Sequence, residues 1–314
     1  MAERDRHINN KGFLSVAQHQ LYWEDWGQAS AKPFFHLHGG PGAGFGNQHK
    51  LLYRPDRHRV IFHDQRGSGQ SLPRGELTNN TAHDLVADIE LLRQHLGCEK
   101  ISLTGGSWGS TLALLYAITH PERVERLVIW SVFLARKSEV DYVNEGMARF
   151  QFPEAWERFI SLVPPSRRHS GDEVMKFYAE QLNAKELTQA THYANEWALW
   201  EMSLISLNYD QHRLEGEVFA DETNLFSARI QAHYLLNRCF MPENYLLDNI
   251  KRIAHLPCFL VHGRYDMCCP AFIATDLAKA YGKNLVLQMV NSGHTRNDPE
   301  MQAALRAVLL AASS

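Results

Sequence analysis

The stretch Ile101-Ser102-Leu103-Thr104-Gly105-Gly106-Ser107-Trp108-Gly109-Ser110-Thr111-Leu112-Ala113-Leu114-Leu115-Tyr116 decides the fold. Its first four residues suit a short strand, and Thr111 to Tyr116 suit a helix. Between them Gly105 to Gly109 spell G-x-S-x-G, a serine on a sharp strand-to-helix turn. A chain that reverses from strand to helix within a few residues forces the serine into strained backbone angles. Neighbours without a Cβ let the two elements approach. The Ser107 hydroxyl is then held up from the sheet above a helix N-terminus, where the backbone N–H of Trp108 can stabilise a developing oxyanion. A small-residue turn that merely contains serine reads the same way, so two further segments carry weight.

The first is His38-Gly39-Gly40-Pro41-Gly42, which follows the strand-like Pro33-Phe34-Phe35-His36-Leu37. A loop of this kind after an early strand supplies a second oxyanion donor. Pro41 has no N–H, so the donor is assigned to Gly40. The second is a pair of strand ends. Cys258-Phe259-Leu260-Val261-His262 runs into Gly263-Arg264-Tyr265-Asp266, and Asn284 to Val290 runs into Asn291-Ser292-Gly293-His294. Asp266 and His294 thus fall just past the C-terminal ends of strands, the edge where open α/β sheets place their ligands. The order is serine, acid, histidine. His294 can take the Ser107 proton and return it to a leaving group, while Asp266 orients the imidazole and stabilises its cation. The chain holds 17 histidines, so position and not residue type singles out His294.

With 314 residues, 45% of them hydrophobic, the chain can bury a large core. Lys and Arg number 32 against 35 Asp and Glu, a net charge of -3, which argues against nucleic acid or an acidic membrane surface as partner. No apolar run reaches a membrane span, and the charged start Met1-Ala2-Glu3-Arg4-Asp5-Arg6 lacks a signal-peptide core. Five cysteines without a disulfide framework fit a reducing compartment, so a cytoplasmic protein is expected. Cys268-Cys269 is a vicinal pair, and no His/Cys group has the spacing of a metal site, so no metal is expected.

Strand-like Phe34–His38, Val60–Asp64, Ile101–Thr104 and Leu127–Val132 alternate with helical segments. The clearest helix is predicted over Thr81–Leu96, with Thr81 as N-cap, Leu85, Ile89, Leu92 and Leu96 on one face, and Gly97 as the stop. Such alternation predicts an α/β fold with a mostly parallel sheet covered on both faces. Over 137–240 strand-like runs vanish and apolar residues recur at helical intervals, as in Phe150–Phe159, Val174–Leu182 and His192–Ser206. The expected organisation is a core of residues 1–136 and 241–314 and an all-helical cap of residues 137–240, seated above Ser107. Pro299–Ala312 reads as a terminal helix.

Three blocks together, His38 to Gly42, Asp64-Gln65-Arg66-Gly67-Ser68-Gly69-Gln70-Ser71, and Gly105 to Leu112, resemble the proline iminopeptidases (prolyl aminopeptidases) of the α/β-hydrolase fold. The likeness continues through His120-Pro121-Glu122-Arg123-Val124, Phe152 to Trp156, Trp197 to Glu201, Ala228-Arg229-Ile230 and Gly263 to Asp266, covering nearly the whole chain in order. It implies a cofactor-free exopeptidase that releases N-terminal proline from a small peptide. By the same resemblance, Ser107, Asp266 and His294 are the catalytic residues and Gly40 and Trp108 the oxyanion donors. Phe133, Tyr142 and Cys269 line the proline-ring pocket, and Glu201 holds the free amine. A carboxylate rewards an α-ammonium through a charge-assisted hydrogen bond. The chain departs from the family at Gln231, where a second amine-binding glutamate is usual, and at Val143, where an aromatic is common. Those departures motivate the alternative of an amidase or esterase for another small acyl or aminoacyl substrate. A non-catalytic binding protein on this fold would have a broken triad, whereas here every member is present. Asp64-Gln65-Arg66-Gly67 is read as structural, with Arg66 satisfying nearby carbonyls or carboxylates.

Overall fold

A computed structural model describes residues 6–208 and 210–313. Its sheet has eight strands, β1 (Ile8–Val16), β2 (His19–Gly27), β3 (Pro33–Leu37), β4 (Arg59–His63), β5 (Ile101–Ser107), β6 (Val124–Val132), β7 (Cys258–Gly263) and β8 (Leu285–Val290), in the order β1-β2-β4-β3-β5-β6-β7-β8. β1 pairs with β2 and β2 with β4 antiparallel; every later pairing is parallel. The helices are α1 (Ala82–His95), α2 (Trp108–Thr119), α3 (Lys137–Asn144), α4 (Pro153–Ser161), α5 (Gly171–Leu182), α6 (Leu187–Ile205), α7 (Gln211–Ala220), α8 (Asn224–Leu236), α9 (Tyr245–Asn249), α10 (Phe272–Tyr281) and α11 (Pro299–Ala312).

The predicted helix is α1. Thr81 caps it in a reciprocal capping box with Asp84, and Gly97 follows the end at φ 66°. Strand alternation sends side chains to opposite faces of the sheet. Phe35, Leu37, Ile61, Leu103, Ile129 and Leu260 join one core with α1, α2 and α10, while Phe34, Val60, Phe62, Val128 and Val261 join another with α11. α2 is buried from Trp108 to Ile118, which explains its nearly all-apolar sequence.

Between β6 and β7 the described residues form no strand; α3 to α9 lie there. A separate apolar cluster links α4, α5, α6 and α8 through Phe159, Tyr178, Trp197, Trp200 and Ala228. Phe159 stacks on Tyr178 with ring centroids 4.4 Å apart.

Candidate active site

Ser107 ends β5 and precedes α2 at φ 54°, ψ −128°, a strained conformation for a residue with a side chain. Its neighbours show why glycine is required. A Cβ on Gly105 would stand 2.7 Å from Gly109 C, and one on Gly106 would overlap the Trp130 indole. One on Gly109 would overlap the carbonyl of Leu37 on the adjacent strand.

Leu37 pairs with Gly105, so the loops after β3 and β5 leave the sheet at the same edge. A Cβ on Gly39 would lie 3.6 Å from Ser107 Cβ. Gly40, at φ 111°, turns so tightly that a Cβ would meet Gly42 N at 2.6 Å. The loops after β3 and β5 therefore lie against each other. A tie between them went unseen in the sequence. Gln65 N donates to His38 Nε2 (3.0 Å), Gln65 Nε2 to His38 O (2.9 Å), and Trp108 Nε1 to Gln65 Oε1 (2.9 Å). Burial pulls His38 down to about 4, so at neutral pH it is an uncharged brace. Asp64 accepts from Phe45 N (2.7 Å) and Gln70 N (2.8 Å), joining the same loops. Arg66 pairs with the buried Asp88 at 2.6 Å, as the structural reading expects.

Asp266 follows β7 and His294 follows β8. His294 Nδ1 lies 2.9 Å from Asp266 Oδ2. Asp266 Oδ1 also accepts from Cys268 N (3.0 Å) and Cys269 N (2.7 Å). The backbone around His294 is pinned by residues without a motif. Ser131 Oγ donates to His294 O (2.8 Å), and Asp298 Oδ2 accepts from Gly293 N (2.7 Å). Ser107 pairs with Val132, so Ser131 carries His294 to the strand beside the elbow. The Ser107 hydroxyl makes no hydrogen bond among the described residues; such contacts often tighten only when substrate is present. Burial alone would lower the His294 pKa. The Asp266 charge, the Cys268 thiol and Glu201 outweigh it and raise the group to about 9.

Glu201 sits on α6 and Gln231 on α8, and Gln231 Nε2 donates to Glu201 Oε1. Burial, then the nearby Cys268 thiol, pushes Glu201 up to about 8. The two helices are hydrogen-bonded to different loops of the sheet edge. Thr295 N donates to Ile205 O at the end of α6 (2.8 Å), while Ser227 Oγ of α8 donates to Gly42 O (2.9 Å). Glu201 is thus tied to the histidine loop and Gln231 to the glycine loop. Tyr234 of α8 also packs edge-on against Trp108, centroids 4.9 Å apart.

Of the remaining pocket candidates, Cys269 is buried and its backbone N donates to Asp266 Oδ1, while its thiol beside Cys268 lowers the Cys268 pKa. Tyr142 Oη lies 3.9 Å from Met267 Sδ, and burial with the Asp266 and Cys268 charges raises its pKa. Phe133 is held by its backbone, N to Ser110 Oγ (3.2 Å) and O to Thr111 Oγ1 (2.7 Å). His262 was not singled out in the sequence. It accepts from Val132 N at Nδ1 (3.2 Å), so its Nε2–H donates to Cys269 O (2.8 Å) and fixes the cysteine loop.

The α/β-hydrolase fold family matches residues 32–298. A proline iminopeptidase of Xylella fastidiosa is 42% identical over 299 residues, covering 94% of this chain and 93% of that protein. One of Neisseria gonorrhoeae is 39% identical, covering 94% of each chain.

The chain belongs to the proline iminopeptidase family.

A proline iminopeptidase of Arabidopsis thaliana is 40% identical over 94% of this chain and 78% of that protein. Among solved structures, a Thermus thermophilus proline iminopeptidase-related protein superposes with TM-score 0.62 at 20% identity, covering 97% of this chain and 98% of that one. A Thermogutta terrifontis esterase superposes with TM-score 0.67 at 18% identity, covering 97% and 100%. At such identities the structures share the fold, which hosts many chemistries. The iminopeptidase family is carried by the sequence relatives.

Proposed function

We propose that the chain is a serine-dependent aminopeptidase that releases N-terminal proline from small peptides through an acyl-enzyme. The observation that carries this reading is Glu201. It is a half-buried carboxylate on α6, a helix whose end is hydrogen-bonded to the loop of His294, and it supports the reading because a carboxylate rewards a free amine through a charge-assisted hydrogen bond. His294, oriented by Asp266, takes the Ser107 proton as Oγ attacks the prolyl carbonyl. Gly40 N–H and Trp108 N–H hold the oxyanion, and His294 protonates the departing amine. Water, activated by the same imidazole, then releases proline. Phe133, Tyr142 and Cys269 line the ring pocket in this reading, and residues 137–240 act as the cap that excludes water. The setting is cytoplasmic and reducing, in keeping with five free cysteines. No helix among the described residues is long and apolar enough to cross a membrane.

A second reading, an amidase or esterase for another small acyl or aminoacyl group, rests on Gln231. Its amide occupies an oxygen of Glu201 and adds no second charge. Comparing kcat/KM for proline p-nitroanilide, alanine p-nitroanilide and a p-nitrophenyl ester, with Ser107→Ala as control, separates the two. Preference for the proline amide supports the aminopeptidase; preference for the ester supports the alternative.

A further inference from the structure

Cys268 and Cys269 lie far from His294 in the sequence, and their spacing suggests no metal motif. The fold nevertheless brings one ligand atom of each to within 4.8 Å of the others. Cys268 and His294 are half-buried and Cys269 is buried. Two thiols and an imidazole form a nitrogen–sulfur donor set of the kind zinc and cadmium prefer and hard cations avoid.

One carboxylate bonds to all three residues, to the ring of His294 and to the backbone of both cysteines. Asp266 holds His294 Nδ1 at 2.9 Å, which leaves Nε2 as the free donor, in the carboxylate–histidine arrangement that supports many metal sites. The same carboxylate accepts from the backbone N–H groups of Cys268 and Cys269 (3.0 and 2.7 Å). His262 fixes the Cys269 carbonyl from behind at 2.8 Å. Ligands on tetrahedral zinc stand roughly 3.5–3.8 Å apart, so donors within 4.8 Å of one another must draw in by about 1.3 Å at most to share one ion.

We propose that Cys268, Cys269 and His294 form an inhibitory site for a thiophilic divalent cation such as zinc. Binding exchanges two thiol protons for the ion: both thiols bind as thiolates and release their protons to solvent, His294 Nε2 donates its lone pair, and water fills the fourth position. No electron is transferred. The imidazole can then no longer accept the Ser107 proton, so activity stops until a chelator removes the ion. This consequence rests on the reading of His294 as the base; the binding does not.

The test titrates Zn²⁺ against the whole protein under a non-thiol reductant, with Mg²⁺ as control and EDTA to reverse. Cd²⁺ serves as an optical probe through its ultraviolet thiolate-to-metal charge-transfer band. Wild type should be inhibited by Zn²⁺ but not Mg²⁺ and recover with EDTA, and Cd²⁺ should raise the band. Cys268→Ser should raise the Zn²⁺ concentration for half-inhibition by about tenfold or more and weaken the band, with metal-free turnover retained. No band in wild type, or Cys268→Ser inhibited at the same Zn²⁺ concentration, overturns the site. A Cys268-dependent band without inhibition overturns the inhibitory site, since the thiols then hold the ion without taking His294 from the reaction.

Discussion

Each side chain at the reacting edge has a separable contribution. In the proposed mechanism Ser107 is the nucleophile, so Ser107→Ala should lower kcat by about 10⁶-fold, measured by steady-state turnover of the proline amide. Asp266→Asn disturbs the tautomer of His294 and should lower kcat by about 10³–10⁴-fold with the fold retained. If Glu201 holds the substrate amine as proposed, Glu201→Gln removes its charged partner. The loss of about 1.5–3 kcal/mol, roughly 10- to 150-fold, should appear in kcat/KM for free-amine substrates and leave a simple ester nearly untouched. The pH dependence follows from two raised groups. Glu201 is charged only above about 8 and His294 is neutral only above about 9, so activity rises as either loses its proton. With a proline amide the rate should fall again where the substrate amine deprotonates, giving a bell in the mildly alkaline range. With an ester only the rising limb remains. Glu201→Gln should move that limb to lower pH, because the Glu201 charge is one of those that hold the imidazolium. Residue order and strand ends singled out Ser107, Asp266 and His294. Gln65, Ser131, His262 and Asp298 carried no such signal: Gln65 and Ser131 reach segments far away in the chain, and His262 and Asp298 hold nearby loop backbone outside any motif.

At the scale of elements, the turn between β5 and α2 depends on absent side chains. Gly106→Ala must displace Trp130, and Gly109→Ala must displace the Leu37 backbone, so each should destabilise the protein by about 1–3 kcal/mol or more. Gly216 offers the contrast. It lies within α7, and a Cβ added there would meet nothing within 4 Å, so Gly216→Ala should stabilise by about 0.5–1 kcal/mol. Thermal melts of the three variants check both signs. The parallel strands and α1 were readable because apolar runs, the Thr81 cap and the Gly97 stop agree with one another. The β1–β2 hairpin was not. β1 is largely exposed and reads INNKGFLSV, with no clean alternation, and its turn passes through Ala17 at φ 49° where glycine or asparagine would have marked it. The start of α4 was blurred as well: Phe150 belongs to a separate 3₁₀ turn, Met147–Phe150, and Pro153 opens the helix.

For the whole molecule, the site is assembled from parts that fold around different cores. The sheet carries Ser107, Asp266 and His294, while α6 and α8, packed in their own apolar cluster, carry Glu201 and Gln231. Docking joins them at Ile205–Thr295 and Ser227–Gly42. Sequence periodicity revealed the helical segment and left its docking points hidden, since these are single contacts across the chain. A ligand that bridges both parts stabilises the fold by mass action. L-proline at a hundred times its Kd should therefore add about 2.7 kcal/mol in a thermal-shift assay, and N-acetyl-proline or the Glu201→Gln variant should show little shift.

The most direct measurement compares kcat/KM for proline p-nitroanilide and N-acetyl-proline p-nitroanilide in wild type and Glu201→Gln. Wild type should strongly prefer the free amine, and Glu201→Gln should lose most of that preference while keeping ester turnover. Equal turnover of the two amides in wild type, or an undiminished preference in Glu201→Gln, would contradict an aminopeptidase whose amine is read by Glu201.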